Sequence, residues 1–150
     1  MKLSHAIGGL AGACALTLIN QGVSRFDKQA PRLDLLGMNA VAKLTKNIQP
    51  ISPVVNNLLP VAVAGDLISN SMYYSLAGSG SKSSTVLKGL LLGLGAGIGA
   101  VALPSTLGLS DAPTNLSTRT RLMTIAYYMA GGLIAAATIN AIETRKNKVV

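Results

Sequence analysis

Tryptophan is absent from the sequence, and cysteine, histidine and phenylalanine each occur once. Aromatic residues make up 3% of the chain, which leaves no platform for stacking nucleic-acid bases. The excess of 13 basic over 5 acidic residues is therefore not read as a nucleic-acid footprint, and no nucleic-acid partner is expected. A single cysteine, Cys14, permits no intramolecular disulfide and builds no metal site alone. It is expected to pack as a small apolar side chain. With one histidine (His5), one glutamate (Glu143) and few other acids, no metal-ligand spacing and no nucleophile–base pair can be assembled. The chain is accordingly expected not to be an enzyme, and no cofactor or metal is expected. Charge is scarce as well: 12% of residues, against about 25% in an ordinary soluble domain.

What is present is apolar. Hydrophobic residues make up 49% of the chain, and the mean hydropathy is +0.47. Apart from Asp66 and Lys88, the charges avoid four stretches, residues 3–19, 58–77, 86–103 and 122–142. Each is close to the roughly 20 residues that cross a hydrocarbon core as a helix. None alternates with period two, which argues against a membrane β-barrel. None shows the wide polar face of a helix in a soluble bundle. The sequence thus predicts an all-α fold over residues 1–150: an integral membrane four-helix bundle in a single transmembrane domain. Lys2 followed by an apolar run has the form of a secretory signal. The run continues past Cys14 to Ile19, however, and Ala11 stands where lipoprotein cleavage sites usually carry leucine, so a retained first helix is expected.

The connection from Asn20 to Asn57 is too long for a bare turn. Pro31 suits a helix start. Over residues 32–48, Leu33, Leu36, Ala40, Val41, Leu44 and Ile48 share one side, and Arg32, Asn39, Lys43 and Lys46 the other. This spacing predicts an amphipathic helix on the membrane surface, with Leu33, Leu36 and Leu44 toward the acyl chains. Pro50, Pro53 and Pro60 are expected to break the chain before the second span. Residues 78–85 read as a flexible turn that makes the second and third spans antiparallel neighbours. Residues 104–118, rich in Pro, Ser, Thr and Asn, read as an exposed loop. Basic residues on the side of the termini are Lys2, Lys82, Lys88, Arg145, Lys146 and Lys148. Those opposite are Arg25, Lys28, Arg32, Lys43, Lys46, Arg119 and Arg121, so the charge rule favours neither orientation.

Glycine patterns the third span. Gly89, Gly93, Ala96, Gly97 and Ala100 fall on one helical face, with leucines, Ile98 and Val101 opposite. In lipid no hydrophobic force joins helices, so small residues must bring backbones into contact. His5, Gly8, Gly12 and Ala15 form such a face on the first span, and Thr124, Tyr128, Gly131, Ala135 and Thr138 on the fourth. Gly93 and Gly97 are expected to accept alanine far better than leucine.

The second span carries the one acid within an apolar run. Asp66, Ser69, Asn70 and Tyr73 lie at i, i+3, i+4 and i+7, one stripe of a helix. Asp66 is eight residues, about 12 Å, into the span. A carboxylate there must be neutral, paired or wetted. No basic residue stands at the same depth, so a protonated, hydrogen-bonded acid is expected. By depth it should point toward Tyr127 or Tyr128, with Asn70 completing the cluster. Tyr73 and Tyr74 are expected near a membrane face as interface anchors, and Asp27, Asp34 and Asp111 as solvated acids in the connections.

At Pro31–Ala40 ("PRLDLLGMNA") and Ala64–Gly78 ("AGDLISNSMYYSLAG") the chain resembles a family of small, uncharacterised four-span bacterial membrane proteins. The resemblance implies a bacterial inner-membrane location and supplies no activity. In size and span count the chain is also similar to the small multidrug transporters. Those carry an essential glutamate in the first span and a membrane tryptophan, neither of which is present here. The function expected is that of a small structural or accessory membrane protein, such as a subunit of a larger assembly, in contact with the lipid bilayer and with other membrane subunits or further copies of itself. The alternative is a small proton- or ion-coupled transporter or channel centred on Asp66.

Overall fold

A computed structural model describes residues 2–46, 58–79 and 82–146, the side chains of 82 and 83 excepted. Its elements are α1 (Leu3–Val23), α2 (Leu33–Thr45), α3 (Leu58–Ser75), α4 (Lys82–Thr106), α5 (Ala112–Asn115) and α6 (Thr118–Lys146), with no strand among the described residues. Local chemistry accounts for several boundaries. α2 starts just after Pro31, with Asp34 in its first turn and Lys43 in its last, each matched to the helix dipole. Its described length is shorter than the spacing predicts, and Asn47 and Ile48 lie outside the described residues. So do Pro50 and Pro53. Pro60 does not break the chain but sits in the first turn of α3, where a missing N–H costs nothing.

Residues 104–118 are largely exposed, as expected, but are not a bare loop. α4 continues through Pro104 to Thr106, α5 follows, and α6 begins at Thr118. Thr114 is fully buried and its hydroxyl donates to the Ala100 carbonyl at 2.8 Å, while the Arg32 amide donates to the Pro113 carbonyl at 2.8 Å. Threonine and proline resemble loop residues in a sequence. Here the Thr114 hydroxyl satisfies itself on a helix carbonyl, so Thr114 can be enclosed while Ser105, Thr106 and Leu116 stay exposed.

α6 is the centre of the assembly, with α4 and α1 packed along two of its faces; α3 packs on α1, and α2 on α3. Gly8 and Gly12 of α1 lie against Ala135 and Gly131 of α6, so these helices are antiparallel. Gly89, Gly93 and Gly97 of α4 lie against Gly132, Met129 and Ile125, also antiparallel. The contact is backbone to backbone: an added Cβ at Gly132 would fall on the Gly89 carbonyl, and one at Gly89 on the Gly132 carbonyl. At Gly93 it would stand 2.6 Å from the Met129 Cα, so alanine itself already forces the helices apart. Leucine, expected to be far worse than alanine there, would add its whole side chain to the same contact.

α3 and α4 are not neighbours along their length. They meet at the turn Leu76–Gly78 and are otherwise held by different partners, α3 by α1 and α4 by α6.

Burial is inverted relative to a soluble domain. The core is Leu16, Leu33, Tyr74, Tyr127, Tyr128 and Ala135, with buried glycines and threonines around it. Leu3, Leu10 and Leu18 of α1, Leu87, Leu91 and Ile98 of α4, and Leu122 of α6 point outward. Among the described residues, three helices are long and apolar enough to cross a membrane: α1, residues 84–106 of α4, and α6. α3 is not among them; its 18 residues include Asp66, Ser69, Asn70 and Ser71, which dilute its hydropathy. Of the four spans read in the sequence, three therefore meet the length and composition of a membrane helix.

Candidate functional site

Asp66 borders α1. Its carboxylate accepts a hydrogen bond from the Asn70 amide at 2.8 Å, one helical turn along the same face. Thr17 of α1 faces the same carboxylate. The residues around it enclose a cavity of about 20 Å³, the space of a single water. Thr17, Asn20 and Gln21 contribute from α1, Ala62 and Val63 from α3, and Leu33 and Asp34 from the start of α2. Thr17 is the fifteenth of the 21 residues of α1, so Asp66 lies between the middle of that helix and its Val23 end.

Asp34 is the acid that sequence reasoning misplaced. It is not solvated: its side chain is 11% exposed, and the Arg32 guanidinium grips it through two hydrogen bonds of 3.0 and 2.8 Å. Those hydrogen bonds, more than the opposing burial, hold its carboxyl below the usual carboxylate range. The other two acids expected in solvent are held as well. Asp27 pairs with Arg119 at 2.6 Å, and Asp111 accepts from Asn115 at 2.8 Å.

The tyrosines divide. Tyr74, expected at a membrane face, is completely buried, and its hydroxyl donates to the Tyr128 carbonyl at 2.9 Å across the α3–α6 contact. The Tyr128 ring is buried within electrostatic reach of Asp66. The Tyr127 phenol lies instead within reach of Asp27 and Arg119, away from Asp66. The cluster around the acid is therefore Asp66, Asn70 and Thr17, with Tyr128 beyond.

Ser69, Asn70 and Tyr73 also border a larger space. Because α3 and α4 diverge, a cleft of about 570 Å³ opens between them. Gly95, Ala96, Gly99 and Ala100 of α4 form the opposite wall, Tyr128 the floor, and Leu36 and Ala40 of α2 the roof. Ser69 turns its hydroxyl back to the Gly65 carbonyl at 2.8 Å, which reduces the polarity of its wall. Of the residues assigned to the membrane-surface helix, Leu33 is buried, Leu36 lines the cleft, Leu44 is exposed, and Lys43 and Lys46 are exposed at the α2 end. The sequence does contain a signal for the cleft. Gly95 and Gly99 are each displaced by two residues, or about 200° of helix, from the Gly93–Gly97 face that meets α6.

At the opposite end, Glu143 of α6 gathers Lys2, Ser4 and His5 of α1 at 3.7, 3.3 and 3.3 Å, closing the α1–α6 pair. No group of three or more metal-ligating side chains occurs among the described residues. No family model, curated protein or solved structure matches the chain. The class that composition and fold define is an all-helical protein with three helices suited to crossing a membrane.

Proposed function

We propose that the chain is an accessory integral membrane protein in which α1, α3, α4 and α6 form a four-helix bundle across the bilayer, α2 lies over one end, and the cleft between α3 and α4 receives an apolar ligand from the membrane. α3 supports the fourth crossing by its course. It runs antiparallel to α1, with Ser71 against Gly9 and Ala62 at the Val23 end, so it occupies the depth that α1 occupies. Its 18 residues rise about 27 Å, close to the hydrocarbon thickness. In a Cys14→Ser background, Asn39→Cys and Ser79→Cys should react with an impermeant maleimide from opposite sides of sealed vesicles. Reaction from one side would remove the fourth crossing.

The accessory role rests on the cleft itself. Its volume lies within the range of ligand sites, its walls are apolar, and a few polar groups converge at its floor. Extraction from native membranes in mild detergent should yield the 15.3 kDa chain together with co-extracted protein or lipid. A chain recovered free of both would overturn the proposal.

One observation favours a second reading, proton- or ion-coupled transport. Asp66 shares its cavity with a second carboxylate, Asp34. In that case Asp66→Asn, which keeps a hydrogen-bonding side chain but cannot exchange a proton, would abolish pH-gradient-driven flux in proteoliposomes. The accessory reading expects no such flux from either protein.

A further inference from the structure

Resting on the membrane reading above, the geometry points to a specific occupant of the cleft: an anionic phospholipid, with one acyl chain between α3 and α4 and its phosphate at Lys43 and Lys46. The cleft does not end at its apolar walls. It runs outward along Leu103 to Leu107 and Leu109. Those two leucines also border a neighbouring depression whose other wall is Ala40, Lys43 and Leu44. Leu109 borders a third, more polar one, with Asn39, Lys43, Lys46 and Ser110. The three spaces share walls, and polarity rises in one direction, from an apolar interior to a cationic rim. That gradient is the outline of an amphiphile.

The rim is fixed in place. The Lys43 ammonium donates to the Leu107 carbonyl, which ties the end of α2 to the segment after α4. An ammonium has three donors, so two remain for a phosphate. Gly108 adopts φ +66°, and an added Cβ there would stand 2.6 Å from the Lys43 nitrogen. The left-handed backbone favours glycine there, and its missing side chain leaves the Lys43 ammonium room beside it. Lys46 is exposed beside this site. The acid of the adjoining loop, Asp111, has its carboxylate engaged by Asn115. The C-terminal end of α2 carries partial negative charge, so the two lysines alone must attract the anion.

Size selects a lipid over a partner helix. A helix with side chains is about 10–12 Å across, and about 570 Å³ holds roughly one turn of it. An acyl chain is far thinner and can follow the length of the cleft. Charge selects an anionic headgroup, because a zwitterionic one brings a cation that the lysines repel.

The absence of tryptophan provides the test. Leu107→Trp, at the mouth, and Leu18→Trp, on the outer face of α1, each give a single-tryptophan protein whose quenching by brominated lipid reads the lipid beside it. In mixed vesicles of brominated phosphatidylglycerol and ordinary phosphatidylcholine, Leu107→Trp should report an anionic preference of roughly five- to thirtyfold, the range expected for one to two lysines at an anionic surface. Lys43→Gln with Lys46→Gln should bring it close to one, with the melting temperature in detergent unchanged. Leu18→Trp should show no preference in either background. A preference that survives the double substitution, or no preference at Leu107, overturns the site. So does displacement by inorganic phosphate at constant ionic strength, which would make it a site for a free anion. Quenching at Leu18 but not at Leu107 means that lipid does not enter the cleft, which also overturns the site. Absence of quenching at both positions would instead refute the membrane reading beneath it.

Discussion

Tyr73 and Tyr74 are adjacent on α3, but only Tyr74 is fully enclosed, while Tyr73 borders the cleft. One residue is about 100° of helix, and the position of α1 and α6 around α3 decides which phenol is enclosed. That position is a tertiary fact, which explains why both tyrosines read as interface anchors in the sequence. Asp34 is a similar case. In the sequence it is an acid in a polar connection, but the fold makes it half of a bidentate pair at the start of α2. Its depressed carboxyl has a consequence for stability. A group bound more tightly as the anion in the folded state stabilises the fold fully above its unfolded value, about 3.9. That contribution is lost as pH falls below it, through the lower folded value. Arg32→Gln removes the first cause of the depression. Melting temperatures in detergent should therefore drop less steeply below about pH 4 in Arg32→Gln than in the parent. Parallel acid profiles would show that the pair contributes nothing.

At the scale of elements, the apolar runs locate α1, α4 and α6 to within a few residues of their cores, because lipid-facing helices announce themselves by length and composition. Their true ends were less legible. α6 extends from Thr118 to Lys146, well beyond the apolar run, since polar ends can continue as helix once neighbours and carbonyls satisfy them. The glycine faces were legible where they repeat at four-residue spacing. The doublets Gly8–Gly9 and Gly131–Gly132 carry a signal that was overlooked. Adjacent glycines point about 100° apart, so a doublet gives one helix two close approaches. Gly131 lies against Gly12 of α1 and Gly132 against Gly89 of α4; Gly8 meets α6 and Gly9 meets Ser71 of α3. The doublets thus lie on α6 and α1, each of which meets two long helices on different faces. The acid site was legible as the stripe from Asp66 to Asn70. The side chains that share its cavity from other elements, Thr17 and Asp34, were not.

For the whole molecule, the order of packing, α4 on α6, α6 on α1 and α1 on α3, leaves the ends of the row free to separate. The short turn after α3 brings α3 and α4 together at one end only, and the cleft is what remains at the other. Stability and binding space therefore reside on opposite faces of α4. Gly97 lies on the stability face, where an added Cβ would stand 2.7 Å from the Ile125 Cα. Gly99 lies on the cleft face, where it would meet only Leu103 of the same helix at 3.5 Å, an ordinary contact. Leucine at either position adds the same volume to the same helix. Gly97→Leu should separate α4 from α6 and lower the melting temperature in detergent by several degrees, as a loss of about 2 kcal/mol or more would in a chain of this size. Gly99→Leu should leave it unchanged or slightly higher, because leucine favours helix over glycine by roughly 0.5–1 kcal/mol and fills space that no helix occupies. Gly99→Leu should also abolish the anionic-lipid preference reported from Leu107→Trp, whereas Gly97→Leu acts through folding. If Gly99→Leu melts as low as Gly97→Leu, the cleft is itself part of the packed core, and α3 and α4 do not stand apart.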